Sequence, residues 1–306
     1  NTLELMTLPP TAPLTGDVAH DACVRLGSKA WITGAIATLG SAYVIDLKAL
    51  NCQTGDVVAE DLVQAPAKEK ILDALGNAAT QLRGKLGESL SSIRQFDVPL
   101  PQATTNSLEA LRAYSTAQHL QATQGDLQAI PFDQRATTLD PNFAQAWWGL
   151  GVEYINLGES NLAAQVLKKA FDLSGHVSRH EQLDIRSLYY RYVTGETPKA
   201  QQVLEQLRQE FPRISGTYAN LAGAYAQEAQ WEKILDASRQ CLVIDPGNGA
   251  CNTNMAVADF FTGHFDAALS MYRQAVARHV DRPAIHALAY WVAHWQNDAS
   301  AMRQRS

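Results

Sequence analysis

The sequence predicts an α+β chain: a small α/β unit with an antiparallel sheet, followed by an all-α array of repeated helix pairs. Three observations predict it. Runs with a strand-like period of two fall before Pro66. Beyond residue 106 the apolar spacing is helical throughout. Small or turn-forming residues there recur at Gly158, Gly195, Ala229, Gly263 and Asn297, in steps of 37, 34, 34 and 34 residues.

Taken in order, Thr15 is placed to cap a helix over 16–26, with Val18, Ala22, Cys23 and Leu26 on one side and Gly27 past its end. Strands are predicted over 30–38 and 42–50, joined by Leu39-Gly40-Ser41 as a hairpin turn. In the second strand Tyr43, Ile45, Leu47 and Ala49 share a face, while Val44, Asp46, Lys48 and Leu50 make the other only partly polar. A turn at 51–56 leads to a third strand over 57–63, closed by Pro66. One long amphipathic helix is then expected over 68–93, with Ile71, Leu72, Leu75, Leu82, Leu86, Leu90 and Ile93 near helical spacing. The result is a helix, a three-stranded meander and a helix over 1–97, covered on its faces by the helices. Prolines and small polar residues make 98–105 a linker, and 106–306 is the repeat array.

Composition fits a packed globular chain. The 306 residues are 46% hydrophobic and 18% charged, outside the range of disordered or collagen-like sequences. A net charge of −6 and a pI near 5.7 argue against a nucleic-acid partner, which needs a basic stripe. The longest uncharged stretch, 30–45, is shorter than the ~20 apolar residues of a spanning helix and is broken by Gly34, Gly40 and Ser41, so direct membrane insertion is not expected. The chain opens Asn1-Thr2-Leu3 with no leader pattern and stops within a helical run, so both ends read as cuts in a longer protein.

A period of 34 residues is that of the tetratricopeptide repeat (TPR). The unit starting at Ala144 resembles this family, with Trp147, Leu150, Gly151, Tyr154, Gly158, Ala163 and Ala170 at its signature positions. Units starting near Glu181, Ser215 and Gly249 keep parts of the pattern. An earlier, looser unit spans 108–141, and a last one opens at Pro283 and is truncated after its first helix, giving five to six helix-pair units. Small residues such as Gly151 and Ala256 are expected to face Ala163 and Ala268 and let paired helices approach. Pro141, Pro212 and Pro246 stop second helices. A single pair cannot bury its apolar face, whereas a stack can.

Residues 25–36, 39–45 and 51–56, with Lys68-Glu69-Lys70 and 84–90, resemble the TolB-amino-domain-like module that precedes TPR arrays in bacterial regulators. The wording is nearest to the C-terminal region of bacterial eukaryotic-type serine/threonine protein kinases. The resemblance implies a non-catalytic sensor or interaction region outside the cytoplasm, with a kinase domain, its ATP and Mg²⁺, and a transmembrane helix in the parent chain. The effector half of a soluble TPR-containing transcriptional regulator or cyclase is the alternative. No H-R-D, D-F-G, V-A-I-K, G-x-S-x-G or H-E-x-x-H motif occurs, so no catalytic residue, cofactor or metal is assigned to this chain. His176 and His180, four apart beside Glu181, read as exposed residues at a helix start.

In TPR folds the first helix of each pair lines a groove. The resemblance places Trp148, Val152, Ile155, Tyr189, Tyr192, Phe260, Trp291 and Trp295 on it, with Arg186, Asn220 and Asn254 as polar neighbours. These are the candidate partner site for a protein or peptide, unless the rings simply pack between repeats. A homodimer that covers the groove is a further expectation. Cys241, in a second helix, and Cys251, in the first turn of the next, are expected to be near neighbours able to form a disulfide. Buried free thiols are the alternative for all four cysteines.

Overall fold

The computed structural model describes Met6, Leu8, residues 15–96, Leu100, 105–277 and 283–295. The described residues form two compact units, divided between Ile185 and Arg186. The predicted 98–105 linker lies almost wholly outside the described residues, as do Asn297 and both chain ends.

In the first unit, α1 (Gly16–Arg25) starts at Thr15, whose hydroxyl accepts from the Val18 amide. Its Cys23 is paired with Cys52, just past the second strand. Strands β1 (Ala30–Leu39), β2 (Ala42–Asn51) and β3 (Val57–Ala65) pair antiparallel in the order β1-β2-β3. Ile36 lies opposite Ile45, and Ile45 opposite Val63, so these three share one face. A bulge between Ala49 and Leu50 shifts the β2–β3 register.

Two expectations fail here. First, the long helix is not continuous. A 3-10 turn (Lys68–Lys70) leads into α2 (Ile71–Lys85), and α3 (Leu90–Phe96) follows a break. Gly87, with φ +88°, takes the left-handed turn that ends α2. The apolar period runs through the break, but Leu86 and Leu90 stay in water. Second, the helices do not cover the sheet. Helix α2 packs on β2 and β3, burying Ile45, Ala65, Ile71 and Ala74 with Tyr43, Leu47 and Val63 beside them. Beyond Trp31, where α1 approaches, strand β1 is left bare: Ile32 and Ile36, on the same face as Ile45, are 62% and 57% exposed. The strands themselves run one or two residues longer than expected.

From Leu108 on, all described elements are helical. Five helix pairs follow: α4 (Leu108–Thr123) with α5 (Asp126–Leu139), α6 (Ala144–Asn156) with α7 (Ser160–Leu173), α8 (Arg179–Tyr192) with α9 (Thr197–Glu210), α10 (Ser215–Ala226) with α11 (Trp231–Ile244), and α12 (Gly249–Phe261) with α13 (Phe265–Ala277). Helix α14 (Pro283–Trp295) opens a sixth. Leu108 packs on the sheet core and Lys68 bonds Glu109 at 2.6 Å, so the sheet and the first helix pair share one unit. The second helices end at Leu139, Glu210 and Ile244, each two residues before the predicted prolines.

The turns within four pairs share one geometry. Gly158, Gly195, Ala229 and Gly263 all have positive φ, at 80°, 70°, 53° and 81°. After Gly158, Ala229 and Gly263 the next amide bonds back to a carbonyl five residues earlier, as in Glu159 to Tyr154 and Gln230 to Tyr225, whereas after Gly195 the Glu196 amide reaches Tyr190, six residues back. The close approach of paired helices differs in detail from expectation. What lies against Gly151 is Leu167, whose side chain occupies the place a Cβ would take, rather than Ala163.

Candidate functional site

First helices alternate between residues that pack on their neighbours and residues left at the surface, and the candidate groove residues divide between the two. In the first unit, α6 carries Trp148, Val152 and Ile155, all half-buried. Trp148 joins Trp147 and Phe171 around Ala144, Ala170 and Ile185, and its Nε1 is buried without a hydrogen-bond partner. Its ring fills a repeat junction more than it offers a surface.

In the second unit, Arg186, Tyr189, Tyr192, Asn220, Asn254 and Phe260 are half-buried. The Arg191 guanidinium lies 4.9 Å over the Tyr192 ring and donates from Nη2 to the Gly223 carbonyl at 2.7 Å. That carbonyl is in the last turn of α10, where the helix leaves acceptors unused and the dipole favours a cation. Gly223 is required by this contact, since a Cβ there would meet Nη1 at 2.7 Å. Burial holds the Arg191 pKa below its ordinary value, with Tyr192 acting in the opposite direction. Asn254 donates to the Ala219 carbonyl at 3.3 Å, which ties α12 to α10.

The exposed rings gather further along. Trp291 and Trp295 on α14 are 57% and 73% exposed. Trp295 tilts against Phe265 at 6.2 Å, Phe265 meets Phe260 at 5.6 Å, and Phe260 meets Phe261 edge-on at 5.3 Å. Phe261 stacks on Trp231 at 4.5 Å with an interplanar angle of 10°. Phe261 is itself 58% exposed. A continuous run of five rings therefore crosses α11, α12, α13 and α14. Of these, Phe260 and Trp295 were among the groove candidates, whereas Trp231, Phe261 and Phe265 were not. They stand at helix ends, where helical spacing does not assign a face.

Cys241 and Cys251 are paired in the structure with Cα atoms 6.3 Å apart, and Cys23–Cys52 accounts for the other two cysteines. His180 and Glu181, expected to be exposed, are half-buried because the start of α8 packs into the first unit; His180 faces Asp184 at 3.7 Å, and burial lowers its pKa. No group of three potential metal ligands is present among the described residues. No helix among them is long and apolar enough to cross a membrane.

One site escaped sequence reasoning. Asp133 on α5 and Glu153 on α6 are both fully buried, and burial raises the pKa of each. The available signal was Glu153 itself, the single charged residue in the otherwise apolar or neutral run 144–156.

Comparison with known proteins agrees with the helix-pair geometry. Residues 144–176, which take in α6, α7, the turn between them and the three residues after α7, match the tetratricopeptide repeat family. No curated protein matches the chain. Among solved structures, the chain is similar to PilW, described as a widely conserved type IV pilus biogenesis factor, at 15% identity over 65% of this chain and 91% of that one, with a TM-score of 0.46. It is similar to TTC0263, a thermophilic TPR protein of Thermus thermophilus, at 18% identity over 61% of this chain and 99% of that one, with a TM-score of 0.44. MamA is 20% identical over 53% of this chain and 94% of its own, with a TM-score of 0.34. Residues 144–176 thus match a tetratricopeptide repeat within an array of helix pairs that follows a small antiparallel sheet.

Proposed function

We propose that the chain is a non-catalytic protein-interaction region that holds a protein or peptide partner on the aromatic surface of its second unit. The observation that carries this reading is the exposure of Trp295, at the end of the five-ring run, and of Trp291 one turn before it on α14. Large rings supply most of the binding energy at interfaces, and exposed apolar patches mark binding sites. The half-buried Tyr189, Tyr192, Arg186, Asn220 and Asn254 border the same first-helix series. Trp148, Val152 and Ile155 belong to the other unit and are assigned to packing.

The finer reading is that this is the sensor region of a membrane-anchored bacterial serine/threonine protein kinase, placed outside the cytoplasm. The resemblance of 25–56 and 68–90 to that family supports it. So does the pairing of all four cysteines, since disulfides persist in oxidising compartments. Catalysis, ATP and Mg²⁺ then belong to the parent chain alone.

A panel of apolar and aromatic peptides, titrated into the 306-residue chain, tests the binding reading. Trp295→Ala should weaken a bound peptide by about 1–3 kcal/mol, roughly five- to 150-fold in Kd, with the fold intact. Affinity unchanged in both Trp295→Ala and Trp291→Ala would overturn the assignment. A concentration-dependent dimer in sedimentation that Trp295→Ala disperses would make a second copy the partner.

A further inference from the structure

Asp133 and Glu153 pose a problem that their ordinary ionised forms cannot solve. Both residues have no exposed surface. None of their four carboxyl oxygens has a hydrogen-bond donor among the described residues. A buried carboxylate without a donor is costly, and two such carboxylates together are more so. The two carboxyls lie within hydrogen-bonding reach of each other, acceptor facing acceptor. Gly149 makes room for them: a Cβ at that position would collide with Asp133 Oδ2.

Among the described residues the surroundings supply no compensating cation. From α4, Tyr114 and Gln118 approach, the first a half-buried phenol whose pKa is raised by desolvation first and then by these acids, the second an amide beside Gly149. On α5, Asp126 acts on Glu153 with like charge, and its own carboxylate accepts from Gln121 and Asn156. From α7 the nearest face is apolar, with Leu167, Ala163 and Ala170 buried. Lys168 of that helix is spent on Asp172 at the surface, and Lys169 is exposed. From α8, Glu181 and Asp184 reach Tyr114, two further acids whose pKa values burial raises.

We infer that Asp133 and Glu153 share a buried proton that joins α5 to α6, so that this repeat junction is a pH-sensitive joint. With one carboxyl protonated, its O–H donates to the other carboxylate and the buried charge falls from two to one. With both protonated the pair is neutral. Loss of the last proton leaves two facing anions in an apolar junction, and α6 is then driven from α5. This concerns the first unit and does not depend on the aromatic surface.

The direction in pH follows from linkage. Burial raises both carboxyl pKa values above their unfolded values of about 4, so the folded state binds more protons. The pair's contribution is fully present below about pH 4 and is lost as pH rises through the folded values. Over that interval each proton retained by the folded state makes the unfolding constant rise about tenfold per pH unit.

The test is denaturant unfolding of the full 306-residue chain between pH 5 and 9, for the wild type and for the double variant Asp133→Asn/Glu153→Gln. The variant preserves shape and can form an amide–amide hydrogen bond. The expected result is that it loses about a tenfold-per-unit part of the pH dependence and outlasts the wild type at pH 9. Glu181 and Asp184 contribute equally to both chains and cancel. Equal pH slopes in the two would overturn the inference. Should the variant fail to fold, infrared spectroscopy at neutral pH of the chain carrying Glu181→Gln/Asp184→Asn, which removes the neighbouring acids whose pKa burial also raises, decides: a protonated-carboxyl C=O band supports the shared proton, and its absence refutes it. A rise in wild-type midpoint on adding Ca²⁺ at pH 8, absent from the variant, would also overturn it, by making the pair a cation site.

Discussion

Replacing Ala229 with glycine should stabilise the second unit. Ala229 is exposed and has φ +53°, the only positive value for a non-glycine residue among those described. Holding an L-residue in the left-handed region costs roughly 1–2 kcal/mol. Glycine removes that cost but gains roughly 0.4–1 kcal/mol of unfolded-chain entropy. The net gain is about 0.5–1 kcal/mol. The comparison is internal to the molecule, because Gly158 and Gly263 take the same positive-φ turn with the same back-bonded amide as Ala229. The assay is urea unfolding followed by helical circular dichroism, where the gain corresponds to an upward midpoint shift of roughly 0.3 M for the unit's transition. Gly158→Ala is the reciprocal experiment and should lose about 1 kcal/mol. A lower midpoint for Ala229→Gly, or no loss for Gly158→Ala, would refute the reasoning that this turn is set by backbone handedness.

Two further outcomes are expected. Gly149→Ala should destabilise the first unit by roughly 1–3 kcal/mol, since the added methyl overlaps the Asp133 carboxyl in a packed junction, and calorimetry of the variant measures it. Thiol titration of the denatured, unreduced chain should find no free cysteine, and Cys241→Ala/Cys251→Ala should cost roughly 3 kcal/mol for a link spanning 10 residues. Four free thiols would contradict both pairings.

Much of the fold was legible because local rules and the global fold coincide. The hairpin at Leu39-Gly40-Ser41, the strand face of Tyr43, Ile45, Leu47 and Ala49, and the 34-residue period are all local or periodic signals. The break at Gly87 was hidden because apolar spacing continues through Leu86 and Leu90, and a hydrophobic period does not record where a backbone turns. The bare flank of β1 was hidden for a different reason: its residues are as apolar as a covered strand's, and coverage depends on where α2 lands. The candidate surface was only partly legible. Position within the repeat found Trp291, Trp295 and Phe260, but the ring run continues through Trp231, Phe261 and Phe265 by contacts between helix ends. The Asp133–Glu153 pair joins residues 20 apart in different repeats, so neither spacing nor composition brings them together.

The Cys241–Cys251 link has a mechanical consequence. Repeat arrays are held by nearest-neighbour contacts, so a pull along the chain peels them one junction at a time. Between α11 and α12 the tension would pass through sulfur and bypass the intervening turn. That junction then acts as a rivet: α11 and the start of α12 leave the folded array together or not at all. Were a partner held on α11, α12, α13 and α14 as proposed, such a rivet would keep Trp231 and Phe261 in register under load, while junctions without a covalent tie are free to yield first.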